Sequence, residues 1–157
     1  MNYFLCRMKK IFFVLAALQI FSSAKSQSNS SFNVIPLPYS YQATGETMKL
    51  SGNVSIKVNT PHLNPIVDYF KAYLSKMYSL HVVQTASLSQ PCQIEFFEPY
   101  ESDNESYMLT MNKNQIQISG SPAGIFYGVQ SLIQLMIGNE DEHSVYIPCY
   151  NIIDQPR

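Results

Sequence analysis

A chain of 157 residues has room for one domain of ordinary size. Apolar residues make up 46% of it and charged residues only 13%, well below the roughly 25% usual in soluble proteins. Eleven tyrosines and nine phenylalanines argue against a disordered chain, and a formal net charge of -1 with no basic stripe argues against nucleic acid as a partner.

The chain opens on a segment that does not belong to the fold. Arg7, Lys9 and Lys10 form a positive start, and Ile11 to Leu18 is an unbroken apolar run. Ala24-Lys25-Ser26 then offers small residues at the two positions a signal peptidase reads, so residues 1–26 are read as a signal peptide cleaved near Ser26–Gln27. The apolar core is shorter than the about 20 residues that a membrane-spanning helix needs, so no stable span is expected after cleavage; a retained anchor is the alternative. Cys6 precedes the apolar run, which is not the place of a lipid-acylated cysteine. Cleavage removes four basic residues and leaves six against eleven acidic ones, a formal net charge of -5. The expected product is a mildly acidic exported protein, periplasmic or extracellular.

Residues 27–33 continue a stretch rich in Ser and Asn and read as a flexible lead-in. Val34-Ile35-Pro36-Leu37-Pro38 follows, where two prolines allow an extended edge segment but not a central strand. Met48 to Leu50 and Val54 to Val58 are short β runs around the turn signal Ser51-Gly52-Asn53. In the second run Val54, Ile56 and Val58 alternate with Ser55 and Lys57, which predicts one buried face and one wet one. A helix is predicted from Asn64 as cap and Pro65 at the first position, with Ile66, Val67, Phe70, Tyr73, Leu74 and Met77 as its inward stripe.

Further strands are expected at 80–84, 93–97, 107–111 and 115–119, the last two joined tightly at Lys113-Asn114. The acidic stretch from Glu98 to Glu105 reads as a solvated loop. A second helix begins at Ser121 as cap with Pro122 at its first position and is expected to stop at Gly138. Ile125, Phe126, Val129, Leu132, Ile133 and Met136 form its main stripe, while Tyr127, Leu135 and Ile137 add apolar surface elsewhere. Such a helix is usually buried on more than one side. Gly124 and Gly128, four apart, would let another backbone come close. A last strand runs from Val145 to Ile153. The fold class predicted is α+β: a mixed, largely antiparallel sheet with two helices packed on one face.

The same residues offer little chemistry. His62, His81 and His143 are far apart, and none has a His or Cys partner at metal-ligand spacing. There is no HExxH, no glycine-rich phosphate loop and no GxSxG elbow. Asp141-Glu142 is an adjacent acidic pair, but it lies in a charged loop and reads as a solvated turn. Cys92 and Cys149 could form a disulfide in an oxidising compartment, although two separate buried thiols are the plainer reading. Asn29, Asn53 and Asn104 each begin an N-x-S/T pattern, relevant only in a source that glycosylates exported proteins. The sequence therefore implies no catalytic residue, no cofactor and no metal.

One stretch carries a specific resemblance. Ser119-Gly120-Ser121-Pro122-Ala123-Gly124-Ile125-Phe126-Tyr127-Gly128-Val129-Gln130-Ser131-Leu132-Ile133-Gln134-Leu135 resembles the AGxFYGxQTLxQL helix in the N-terminal domain of family 20 β-N-acetylhexosaminidases. Tyr107–Thr110 and Gln115–Ile118 are similar to that family's strand pair, and Val34–Pro38 to its opening. Ile147-Pro148 with Ile153-Asp154-Gln155-Pro156-Arg157 looks like its lead into a catalytic (β/α)8 barrel. The resemblance covers residues 34–157 as one domain. It implies a parent enzyme that removes terminal β-linked N-acetylhexosamines, with the substrate's own acetamido oxygen attacking the anomeric carbon. In that family the working Asp-Glu pair follows a His-x-Gly-Gly lead on the barrel, a lead that Asp141-Glu142 lacks; Arg157 inherits no catalytic or sugar-binding role either. The implied partner is the barrel of the same parent chain, with glycan substrate met only through it. A low charge and a helix apolar all round agree with a face that something else covers. The alternative is a self-standing exported glycan-binding or interaction module, supported by the many tyrosines.

Overall fold

The computed structural model describes residues 32–85, 91–99, 104–138 and 143–155. The signal peptide, Asn29, Asp141-Glu142 and Arg157 lie outside the described residues.

In chain order the elements are β1 (Ser40–Ser51), β2 (Asn53–Val58), a 3-10 turn (Pro61–Leu63), α1 (Asn64–Tyr78), β3 (His81–Thr85) and β4 (Ile94–Phe97). They continue with β5 (Tyr107–Met111), β6 (Ile116–Gly120), α2 (Pro122–Leu135), the two-residue β7 (Ile137–Gly138) and β8 (Ser144–Asp154). All the strands belong to one sheet in the order β1-β8-β5-β6-β4-β2-β3, with β7 paired to β8 beside that path. β8 pairs antiparallel with β1, β5 and β7, and β5 antiparallel with β6. β3, β2, β4 and β6 form a parallel block. Parallel neighbours need a crossover, and between β2 and β3 it is α1. The predicted α+β class holds, with both helices resting on the sheet.

Register explains the layering. Ile56, Ile94, Ile116 and Met111 lie side by side across β2, β4, β6 and β5, and all are buried. Two residues along, Phe96, Ile118, Leu109 and Ile152 repeat the pattern on β4, β6, β5 and β8. These two apolar rows are the floor beneath the helices. Between them Lys57, Glu95, Gln117, Thr110 and Asn151 point to the opposite face, because side chains alternate along each strand.

The sheet is also strongly curled. Gly52 alone separates β1 from β2, yet four strands stand between them in the sheet. At about 4.8 Å per strand a flat sheet would hold β1 and β2 roughly 24 Å apart. One glycine cannot bridge that, so the sheet bends round until its first strand meets its sixth. Gly52 turns there with a φ of 61° and accepts a hydrogen bond from the His81 amide at 2.9 Å. A bulge in β1 assists the bend: Ala43 to Thr47 spans four residues while its partners Tyr150 to Pro148 span two. At this bulge Glu46 Oε2 accepts from the Lys113 amide at 3.1 Å, joining β1 to the β5–β6 turn. That turn is built as the sequence suggests, with Asn112 Oδ1 accepting from the amides of Asn114 and Gln115.

α1 buries Val67, Phe70 and Leu74, and the Phe70 and Phe96 rings meet edge to face at 6.0 Å. Its beginning differs from expectation. Asn64 is already helical and does not cap α1; it closes the preceding 3-10 turn, with its amide donating to the Pro61 carbonyl, and Thr60 accepts from His62 there. Instead, Asn64 Oδ1 accepts from Gln84 Nε2 on β3. Met77, expected inside, is exposed, and the neighbouring Tyr78 packs against the core instead.

α2 begins as predicted, with Ser121 Oγ accepting from the Gly124 amide at 3.1 Å and also donating to the Asn104 carbonyl. It ends at Leu135 rather than Gly138, since Met136 is extended and Gly138 pairs with Val145 in β7. Pairing with β8 takes precedence over a glycine stop. Gly138 is small there because a Cβ would sit 3.2 Å from the Tyr78 ring. The buried face of α2 is Gly124, Ile125, Gly128, Val129, Ser131, Leu132 and Leu135; Phe126, placed in the predicted stripe, faces out.

Two loop expectations also change. Glu98 is buried rather than solvated, since the Asn59 side chain brackets its backbone, accepting from its amide at 2.9 Å and donating to its carbonyl at 2.7 Å. Phe32, placed in the lead-in, stacks on Tyr41 at 3.9 Å and meets Tyr150 edge-on. The Val34–Pro38 segment is not a strand; it is a strap over the end of α2, held by Gln134, whose side chain accepts from the Ile35 amide and donates to its carbonyl.

Candidate functional site

The chemistry-bearing residues stay dispersed. His62 and His81 stand on separate exposed turns and strands, and His143 is exposed at the start of the final strand. Among the described residues no three His, Cys, Asp or Glu side chains gather as a metal ion would require. His62 Nδ1 lies 4.0 Å from Glu98 Oε2. Cys92 and Cys149 are both buried and unbridged, as the plainer reading had it. Asn53 and Asn104 are exposed. Asn104 Oδ1 is engaged with the Ser106 amide and hydroxyl, an Asx turn that leads into β5.

Polar networks on the sheet are structural in geometry. Lys57 Nζ meets Glu95 Oε1 at 2.6 Å on adjacent strands, and Gln117 Nε2 donates to the other Glu95 oxygen at 3.2 Å. The hydrogen bond to Glu95 holds the Lys57 ammonium above its ordinary pKa. Tyr107 Oη and Ser131 Oγ share a buried hydrogen bond at 2.6 Å, tying β5 to α2. Neither cluster brings an acid and a base to one open cavity.

These groups do predict a pH response. Burial, then a hydrogen bond with Tyr73, pushes the Tyr78 phenol up to about 12. Burial likewise raises Tyr107, Cys92 and Cys149 above their ordinary values. Each raised group, Lys57 included, binds its proton more tightly folded than unfolded. Stability from all five is complete below the unfolded values of 9.0 for thiols, 10.0 for phenols and 10.5 for Lys, and is lost as pH climbs past them. Thermal melts should therefore show Tm falling steadily from about pH 9 to pH 12, and Tyr78 should ionise last in a phenolate absorbance titration. A melting temperature level across that window would contradict the burial of these groups.

What the structure does assemble is a surface. The sheet-averse side of α2 presents Phe126, Tyr127, Gln130 and Gln134, and α1 adds Tyr69 beside them. Tyr69 and Phe126 rings lie 5.8 Å apart, Phe126 and Tyr127 6.0 Å, and Gln130 Nε2 donates to Tyr69 Oη. A signal for this face was present in the sequence: the glycines mark the side of α2 that touches the sheet, which leaves Phe126 and Tyr127 on the other. A cleft follows where the strap passes α2, lined by Ile35, Tyr127, Gln134, Glu105 and Asp154 among others.

A curled mixed sheet carrying two helices with an aromatic outer face defines an α+β domain. The model of glycosyl hydrolase family 20, domain 2, matches residues 31–155, and the chain belongs to that family. The resemblance read from the α2 segment is thereby borne out. A curated β-hexosaminidase of Porphyromonas gingivalis is 27% identical over 134 residues, which are 79% of this chain and 17% of that protein. The chain thus spans about a sixth of that relative's length. Among solved structures, the chitobiase of Flavobacterium johnsoniae superimposes with a TM-score of 0.69 at 22% identity, over 80% of this chain and 21% of that one. The N-acetyl-β-hexosaminidase of Streptomyces plicatus does so with a TM-score of 0.68 at 24% identity, over 79% and 26%. These structures share the fold.

Proposed function

We propose that this chain is the supporting N-terminal domain of an exported β-N-acetylhexosaminidase and that the chemistry belongs to a (β/α)8 barrel of the same parent polypeptide. The family match along the whole described domain carries this reading, since it spans residues 31–155. The outward aromatic face of the helices supports it in physical terms. Tyr69, Phe126 and Tyr127 form a contiguous apolar area of the kind that marks an interaction surface. Covering it with a barrel would bury the rings and fix the domain's position without lending the active site a single residue. The acidic balance of residues 27–157 and the leader at 1–26 agree with export.

Sequencing the locus past the Arg157 codon and assaying both products tests this. The uninterrupted gene product should release the chromophore from an aryl N-acetyl-β-glucosaminide. The 157-residue chain should release none. Turnover by the short chain would overturn its role as a supporting domain, and a stop codon after Arg157 would remove the parent barrel.

A further inference from the structure

We infer that the strap Val34–Tyr39 is a second docking element for the barrel, separate from the aromatic face of the helices. This rests on the reading of the chain as a supporting domain. Val34 is buried and anchors the strap in the core. Beyond it Ile35 is 79% exposed and Tyr39 69%, with Leu37 also exposed, although the strap's backbone is firmly held. Gln134 engages both backbone groups of Ile35, with its Oε1 2.8 Å from the amide and its Nε2 3.1 Å from the carbonyl oxygen. The Tyr39 amide donates to Asp154 Oδ1 at 3.0 Å. Polar bonds to the backbone combined with apolar side chains turned outward is the reverse of what a free surface segment needs, and it suits a rigid contact edge. Pinning before contact lowers the ordering cost of association.

The position selects the occupant. Asp154 is the last residue of β8, so the strap is hydrogen-bonded to the place where the chain leaves the sheet. Whatever the parent chain folds next starts within a few residues of Tyr39, at about 3.3 Å per residue. Matched structures are about four to five times longer than the part this chain covers, so there is a large body to be seated. The strap also borders the helix face, because Ile35 and Pro36 line the same cleft as Tyr127 and Gln130.

Hydroxyl-radical footprinting of the whole parent enzyme tests this with an internal standard. Tyr146 is 37% exposed, beneath Lys49, and lies eight residues before Asp154 on β8. By exposure in this domain alone Tyr39 should be oxidised faster than Tyr146. With the strap seated on the barrel the order reverses, and Tyr39 becomes the slower of the two. Tyr127 reports on the helix face independently. Protection of Tyr127 with Tyr39 still the faster residue would overturn the strap's role while leaving the supporting-domain reading intact. Reversal that disappears on dilution would assign the strap to a second copy and would also overturn it. A gene product that ends without a barrel defeats the underlying reading instead, and its mass reveals that before any footprint is taken.

Discussion

Gly124→Ala is expected to destabilise the domain by about 3 kcal/mol, at the upper end of what overpacking costs. In an exposed helix the same change would stabilise by about 1 kcal/mol, since alanine is the better helix former. Here the sign reverses because a Cβ on Gly124 would overlap the Ser106 carbonyl oxygen, and the Glu105 carbonyl oxygen lies only 3.1 Å away. Both obstacles are backbone, in the segment that enters β5, so neither can swing aside. At Gly128 the obstacle is the Ile118 Cγ2 methyl at 2.6 Å with the Tyr107 ring beyond it, and side chains can yield. Gly128→Ala should therefore cost less than Gly124→Ala. Urea unfolding of the two variants reads the order directly. A stabilised Gly124→Ala would mean that α2 does not lie as close to the chain before β5 as the structure has it.

Phe96→Ala should cost about 3–5 kcal/mol, the usual range for deleting a buried aromatic side chain. Phe96 is fully buried on the short central strand β4 and meets Phe70 of α1 edge to face. Its loss opens a cavity between sheet and helix and removes a ring pair worth about 1 kcal/mol beyond the buried area. Against a total stability of about 5–15 kcal/mol, the variant stands near the limit of folding. Phe97 is the built-in control, because the next side chain on the strand turns to the other face and is partly exposed. Phe97→Ala should shift the urea midpoint little. Equal losses at 96 and 97 would show that the sheet is packed on both faces.

Much of the fold was readable where local chemistry acts alone. The alternation of Val54, Ile56 and Val58, the Ser121 cap and the turn at Lys113-Asn114 all appear where the pattern put them. Elements set by distant partners were not readable. β1 extends back to Ser40 through a polar stretch with no alternation, because pairing with β8 defines it. β7 exists only as a partner of Val145 and Tyr146. Glu98 is buried through Asn59, thirty-nine residues away in sequence. The functional surface was half legible. A helix apolar on every side leads one to expect cover on more than one side, whereas the structure leaves Phe126 and Tyr127 exposed; only Gly124 and Gly128 tell which side meets the sheet. The strap was invisible as a held element, since nothing in its own residues announces that Gln134 and Asp154 will hold it.

The curl that brings β1 round to β2 has a consequence in time. β1 is made early, yet its one strand partner among the described residues is β8, with Ser40 opposite Ile153 and Ser51 opposite Ser144. Until the ribosome has released β8 that pairing cannot form, and the twelve residues of β1 rely on water for their backbone hydrogen bonds. Contacts so distant in sequence also make for slow folding once the chain is complete, because the loop must be closed before the pairing rewards it. The export proposed above would suit such a topology: a chain that cannot close its sheet until β8 arrives is one that a translocation channel can still thread.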